Sequence, residues 1–134
     1  MTLLLSVFFV FSAQAESVCG KDNRLFYFNM PIVIGKKVFN DQVEICKGKK
    51  GLYGQLEVPK RFKAKLENIK LNGQQLSFSI TANEGRGKFK VFYAGELKNN
   101  QKHFLGMARL EKNKVLGPFL GINSKGPEKL EIVQ

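Results

Sequence analysis

The chain has 134 residues, and 22 Lys and Arg residues against 11 Asp and Glu residues give it a net charge of +11. This length suits a single domain. The excess of positive charge favours anionic partners through long-range attraction. The whole chain has one histidine and two cysteines. It therefore offers few of the residues that a histidine-based triad or a metal site needs.

The first fifteen residues form an uncharged, mostly apolar run that ends in Ala13-Gln14-Ala15. Such a run is too short to cross a bilayer, and a small-x-small ending is typical of a signal peptidase site. The sequence therefore predicts a signal peptide over 1–15 and a mature domain over 16–134. It predicts a secreted or periplasmic protein with no transmembrane segment after cleavage. The alternative is that the run forms a buried first strand or helix of the fold.

Cys19 and Cys46 are the only cysteines. In an exported chain an even pair predicts a disulfide. Closing a loop of about 28 residues would stabilise the fold by about 3–4 kcal/mol in the chain-entropy account. A pair of redox or metal-binding thiols gains no support, because no C-x-x-C motif is present. We therefore expect no metal and no cofactor.

Short apolar runs separated by turn clusters fill the rest of the chain, and no segment has a sustained helical period. The Asn72-Gly73 pair is a strong hairpin signal, because a type I′ turn needs positive φ at both central residues. This pattern predicts an all-β fold, with the tail 123–134 outside it. The expected strands are 24–34, 37–46, 51–58, 62–72, 75–82, 88–96, 102–110 and 115–122.

Alternation of apolar and polar residues is clearest in strand 75–82, where Leu76, Phe78 and Ile80 share one face. A sheet with one dry face and one wet face produces this pattern. The alternation slips within 62–72, and one extra residue near Asn68 would restore it. A β-bulge is therefore expected there.

Glycines recur inside the expected strands, where they weaken a flat sheet but allow sharp coiling. A meander of strands has two free edges, and both edges disappear when the sheet closes on itself. We therefore expect a single small up-and-down antiparallel β-barrel of about eight strands. The glycines are Gly54, Gly95, Gly106, Gly117 and Gly121.

The chain contains repeated steps of the G-x-L and F-x-G type. They are Gly54-Gln55-Leu56, Gly95-Glu96-Leu97, Phe104-Leu105-Gly106 and Phe119-Leu120-Gly121. With these steps, residues 24–122 resemble calycin-type barrels such as lipocalins and avidins. The resemblance implies a barrel that holds a small apolar ligand. It stops at architecture, because the tryptophans on which lipocalin and avidin motifs rely are absent.

The leading functional hypothesis is a non-enzymatic exported barrel that binds a small apolar or amphiphilic ligand, such as a fatty acid or lipid fragment. A barrel of about eight strands is wide enough to hold one small ligand. Inward-facing side chains are the candidates for its binding site. These are Leu56, Leu76, Phe78, Ile80, Phe89, Val91 and Tyr93.

The alternative hypothesis is a basic interaction module that docks an anionic envelope polymer or protein. Lysines recur with one phase on neighbouring strands, and a row of them would form an outer basic face. Specific nucleic-acid binding is not expected, because the aromatic residues of these strands alternate inward and leave no stacking platform. The candidate lysines are Lys63, Lys65, Lys70, Lys88 and Lys90.

Two further features bear on partners and catalysis. Segments 24–34 and 102–122 are apolar in both phases, so an outer face there would need cover from the Cys19–Cys46 segment, the C-terminal tail or a second subunit. His103 follows a turn and is expected on the surface, and no Ser lies in a G-x-S-x-G motif. We expect no enzymatic activity, although a small hydrolase or an enzyme inhibitor stays open.

Overall fold

The computed structural model describes residues 17–84, 87–111 and 114–124. The predicted signal peptide over 1–15 lies outside the described residues, and so does the tail beyond Ser124. The domain boundary at residue 16 therefore stays a prediction.

Nine strands account for most of the described chain. They are β1 (Asn23–Ile34), β2 (Lys37–Gly48), β3 (Gly51–Val58), β4 (Phe62–Lys65), β5 (Glu67–Asn72), β6 (Gln75–Glu84), β7 (Gly87–Lys98), β8 (His103–Leu110) and β9 (Lys114–Asn123). Each predicted strand except 62–72 is present within a few residues of its expected ends, and the all-β class is confirmed.

All nine strands belong to one antiparallel sheet in the order β4-β3-β2-β1-β9-β8-β7-β6-β5. The first and last strands of the chain pair in the middle of the sheet, with Asn29 opposite Ile122 and Ile32 opposite Phe119. The two edge strands, β4 and β5, are consecutive in the chain and separated by Leu66 alone.

The prediction of eight strands is wrong because the chain bends within 62–72. Here the backbone N–H of Leu66 donates to the Gly54 carbonyl at 3.0 Å, outside the regular ladder. Asn68 has a φ of 51°, and the register with β6 shifts between Glu67 and Lys70. The bulge expected near Asn68 is confirmed, but the accompanying bend divides the predicted strand in two. Hydrogen bonding in the sheet is open between β4 and β5, so a closed barrel is not confirmed.

The alternation read from the sequence matches the observed burial in part. On β6, Leu76, Phe78 and Ile80 are buried and Thr81 is exposed, but Ser79, on the polar phase, is also buried at 2% exposed. Buried side chains from seven of the strands join in one core, partly buried side chains of β4 and β5 pack against it, and Leu66 joins it from the bend between β4 and β5. This core is the concave side of the sheet and holds the site described below.

Gly95 and Gly106 lie directly opposite each other on β7 and β8. A Cβ atom at Gly106 would overlap the carbonyl oxygen of Ala94, and one at Gly95 would overlap that of Leu105. Only glycine permits this approach of the two backbones. The glycine pair therefore lets the sheet coil closely at this point.

Candidate functional site

A cavity of about 340 Å³ occupies one end of the concave side. Side chains from eight strands and one turn form its wall, and nearly all of them are apolar. The lining residues are Ile32, Ile34, Phe39, Asp41, Val58, Arg61, Phe62, Ile80, Phe89, Val91, Tyr93, Leu110 and Leu116.

The location of the cavity follows from strand order and direction. Ile34, Phe39 and Leu116 lie beside the β1–β2 and β8–β9 turns, and Val58 and Phe89 lie beside the β3–β4 and β6–β7 turns. Because the strands are antiparallel, these four turns meet at one end of the sheet. The cavity therefore opens among them.

The other half of the interior is filled by packed aromatic rings. Phe104 and Phe119 lie with ring centroids 4.8 Å apart, and Phe28 lies 5.1 Å from Phe104. Phe78 stacks on Tyr93 at 5.1 Å. Since Tyr93 also lines the cavity, this aromatic cluster forms its floor.

A buried carboxyl group lies at this floor. Asp41 is 3% exposed, and its Oδ2 accepts a hydrogen bond of 3.1 Å from the Tyr93 hydroxyl. Burial raises the pKa of Asp41 to about 7, although the Tyr93 hydrogen bond lowers it. Burial and the nearby Asp41 also raise the pKa of Tyr93. Near neutral pH the Asp41 carboxyl at the floor is therefore present in both its protonated and its ionised form.

Positive charge lies at the mouth of the cavity. The Arg61 guanidinium is 5.2 Å from the centroid of the Phe39 ring, and both residues line the cavity. An open groove of about 410 Å³ shares the lining residues Phe39, Val58 and Arg61 with the cavity and also includes Lys37. The cavity thus runs from a mouth with positive charge, between apolar walls, to a floor with one carboxyl group.

The structure divides the inward residues predicted from the sequence into two groups. Ile80, Phe89, Val91 and Tyr93 line the cavity. Leu56, Leu76 and Phe78 are buried in the packed core and do not line it. Periodicity identifies which side of a strand faces inward, but not which end of the interior is hollow.

Sequence reasoning missed the two charged residues of the site. Asp41 shares its phase with Phe39, Val43 and Ile45, so an acidic residue at an inward position was the available signal. Arg61 lies in the β3–β4 turn, where no periodicity applies. Its place at the mouth depends on the meeting of four turns that are distant in sequence.

The predicted lysine face is exposed but dispersed. Lys63, Lys65, Lys70 and Lys88 are exposed, whereas Lys90 is partly buried and lies 3.6 Å from Glu67 Oε1. Lys63 is opposite Glu57 across β3 and β4, and the register puts Lys70 and Lys90 about 13 Å apart along the strands. Acidic neighbours and distance keep these residues from forming one compact anion site.

Outward side chains of β1, β8 and β9 form an apolar surface. Leu105 and Leu120 are directly opposite each other on β8 and β9 and are both 41% exposed, and Ile122 is 47% exposed. The prediction that 24–34 and 102–122 are apolar in both phases is consistent with this surface. Oligomerisation through it stays a prediction.

The predicted disulfide between Cys19 and Cys46 is present. Beside it, the buried Glu44 accepts hydrogen bonds from Ser17 Oγ at 2.6 Å and from the backbone N–H of Val18 at 3.0 Å. Arg24 Nε lies 2.6 Å from Glu44 Oε2. Burial alone would raise the pKa of Glu44, but these hydrogen bonds and the Arg24 charge lower it overall. The disulfide and the hydrogen bonds to Glu44 together hold residues 17–19 against β2.

The remaining chemistry-bearing groups do not converge with the cavity. Cys19, Glu44 and Cys46 lie within metal-ligand distance of one another, but the two sulfur atoms are joined and offer no thiolates. His103 is partly exposed on β8, opposite Lys98 and Ile122. No helix in the described ranges is long and apolar enough to cross a membrane.

Comparison with known proteins adds no functional assignment. No protein-family model, no curated protein and no solved structure matches this chain. The geometry of the cavity is therefore the basis for a functional proposal.

Proposed function

We propose that this protein binds a small amphiphilic ligand, such as a fatty acid or lipid fragment, with its apolar chain in the cavity. The observation that carries the proposal is the cavity itself, because its wall combines many apolar side chains with two charged ones. Its volume of about 340 Å³ falls in the range of roughly 300–1,000 Å³ that is usual for small-molecule sites.

The alternative is an interior filled entirely by the protein's own side chains. The aromatic cluster fills one half of the interior in this way, but the other half is left open. Ile32 and Val91 are almost fully buried yet border empty volume at the other end. An unfilled apolar cavity lowers stability in proportion to its size. A ligand that fills it would recover much of this cost, which supports a binding role.

We also propose that the sheet closes into a barrel around this interior through the β4–β5 bend. Support comes from the single residue, Leu66, that separates the edge strands and from its hydrogen bond to Gly54 on β3. Amide hydrogen exchange tests the closure. In a closed barrel the Leu66 amide and its neighbours in β4 and β5 are protected. Exchange as fast as in the turns would contradict closure.

Export is the third part of the proposal. The disulfide is compatible with an oxidising compartment, and the apolar run over 1–15 ends in a small-x-small pattern. The intact mass of the protein isolated from its own host tests this point. A chain that begins at Glu16 is expected, and a full-length intracellular chain would contradict export.

Titration with a fluorescent fatty acid, 11-(dansylamino)undecanoic acid, tests ligand binding. Saturable binding with a blue-shifted emission is expected for the native protein. Val91→Phe places a ring in the cavity and should weaken binding at least tenfold. Val115→Phe is the matched control, because Val115 is 48% exposed and outside the cavity lining.

Three outcomes would count against the proposal. They are the absence of saturable binding to the native protein, equal binding by the native protein and Val91→Phe, and equal weakening by the two variants. Circular dichroism of each variant separates a blocked cavity from a misfolded chain.

A further inference from the structure

Four pairs of strand ends meet around the mouth of the cavity, and each pair brings positive charge to it. Lys36 and Lys37 lie at the β1–β2 turn, and Lys60 and Arg61 lie at the β3–β4 turn. Lys88 and Lys114 stand near the starts of β7 and β9. The strand ends on this side also carry the cations Lys63 and Arg109 and the acidic residues Glu57, Glu84 and Glu111, and Asp41 lies inside the cavity. Cations therefore outnumber acids among the described residues at this end, which leaves a positive field over the opening.

Two of these cations are in contact with the apolar path into the molecule. Arg61 lines both the cavity and the outer groove, and Lys37 lines the groove. Guanidinium groups bind carboxylates and phosphates through paired hydrogen bonds, and charge-assisted bonds are about twice as strong as neutral ones. The mouth thus offers a head-group site directly outside an apolar cavity.

The floor of the cavity disfavours the reverse orientation of the ligand, in which the head group would lie inside the cavity. Asp41 is the polar group there, and its carboxylate accepts the Tyr93 hydrogen bond. An anionic head group placed beside it would face a like charge in a buried site whenever Asp41 is ionised, which is unfavourable. An apolar chain end carries no charge and does not meet this repulsion.

We propose that the ligand is a single-chain amphiphile with a carboxylate or phosphate head, held at Arg61 and Lys37, and with its chain directed toward Asp41 and Tyr93. This inference rests on the proposed function and specifies its ligand class and orientation.

Calorimetric titration with four decyl compounds below their micelle concentrations tests the inference. The compounds are decanoate, decyl phosphate, 1-decanol and decyltrimethylammonium, which share one chain and differ in the head. We expect both anions to bind at least tenfold more tightly than the alcohol and the cation. The ratio of the two anions identifies which head the site prefers.

The variant Lys37→Gln/Arg61→Gln should lower the affinity for the two anions at least tenfold more than it lowers the affinity for 1-decanol, so that the preference for anions is lost. Lys49→Gln/Lys50→Gln is the matched control. These two lysines line an open groove at the opposite end of the sheet, and their substitution changes the net charge equally. The control variant should keep the tenfold preference, because it leaves the mouth intact.

The outcomes separate this inference from the proposed function. If none of the four compounds binds, the proposed function fails together with the inference. If 1-decanol or decyltrimethylammonium binds as tightly as decanoate, the cavity binds chains but the head-group assignment is wrong. Equal loss of preference in the two double variants would show that net charge, rather than the mouth, selects the ligand.

Discussion

Replacing Asp41 with Asn should make the stability of the protein less sensitive to pH. Asp41 is buried at the floor of the cavity, and its pKa rises from an ordinary value of 3.8 to about 7. The folded state therefore retains a proton that the unfolded chain releases between about pH 4 and pH 7. Stability falls as pH rises through this window, and the full loss is present above pH 7.

The magnitude follows from the size of the shift. A change of about three pKa units corresponds to about 4 kcal/mol of unfolding free energy as an upper limit. Asn keeps the shape of Asp and an oxygen that accepts the Tyr93 hydrogen bond, but it does not ionise. Relative to the native protein, Asp41→Asn should gain up to about 4 kcal/mol in stability between pH 4 and pH 8.

Urea unfolding at several pH values measures this difference. Far-UV circular dichroism is a suitable signal, because the chain contains no tryptophan. Subtracting the curve of Asp41→Asn from that of the native protein removes the titration of other groups. Tyr93→Phe serves as the companion variant, and it should widen the window because the hydrogen bond that lowers the Asp41 pKa is lost. A difference that stays flat from pH 4 to pH 8, or that has the opposite sign, would refute the reasoning.

Three further predictions concern the structure around the site. Cys19→Ser/Cys46→Ser should lower the unfolding free energy by about 3–4 kcal/mol and keep the β-sheet spectrum; an unchanged urea midpoint would contradict a structural role. Glu44→Gln should cost about 1–3 kcal/mol near neutral pH. Because the folded pKa of Glu44 is lowered, this cost should shrink as pH falls through that pKa, and a cost independent of pH in urea unfolding would oppose the account. Gly106→Ala should cost about 1–3 kcal/mol, because its Cβ would overlap the Ala94 carbonyl oxygen; equal melting temperatures would show that the strands have room there.

Local patterns predicted most of the fold. Turn clusters such as Asn72-Gly73 marked the strand ends, and the alternation in 75–82 marked the inward face. The slip near Asn68 predicted the bulge. These features depend on residues that are neighbours in sequence, so the sequence alone was sufficient to find them.

The strand count and the site depend on contacts between distant residues. The break at Leu66 requires the backbone of β3, through Gly54, as a partner. Arg61 reaches the cavity because the β3–β4 turn meets three other turns, and Asp41 meets Tyr93 from a strand 52 positions away in sequence. Alternation placed Ile80 and Leu76 on the same face of β6. Which of them lines the cavity depends on where the aromatic rings pack, and alternation does not show this.

A crystal structure of the protein with 12-bromododecanoate tests the central claim most directly. Anomalous scattering locates the bromine atom and hence the end of the chain. The account predicts bromine inside the cavity, near Ile80 and Val91, with the carboxylate at Arg61. Bromine on the outer face beside Leu105 and Leu120, or no ordered bromine at full ligand saturation, would contradict it.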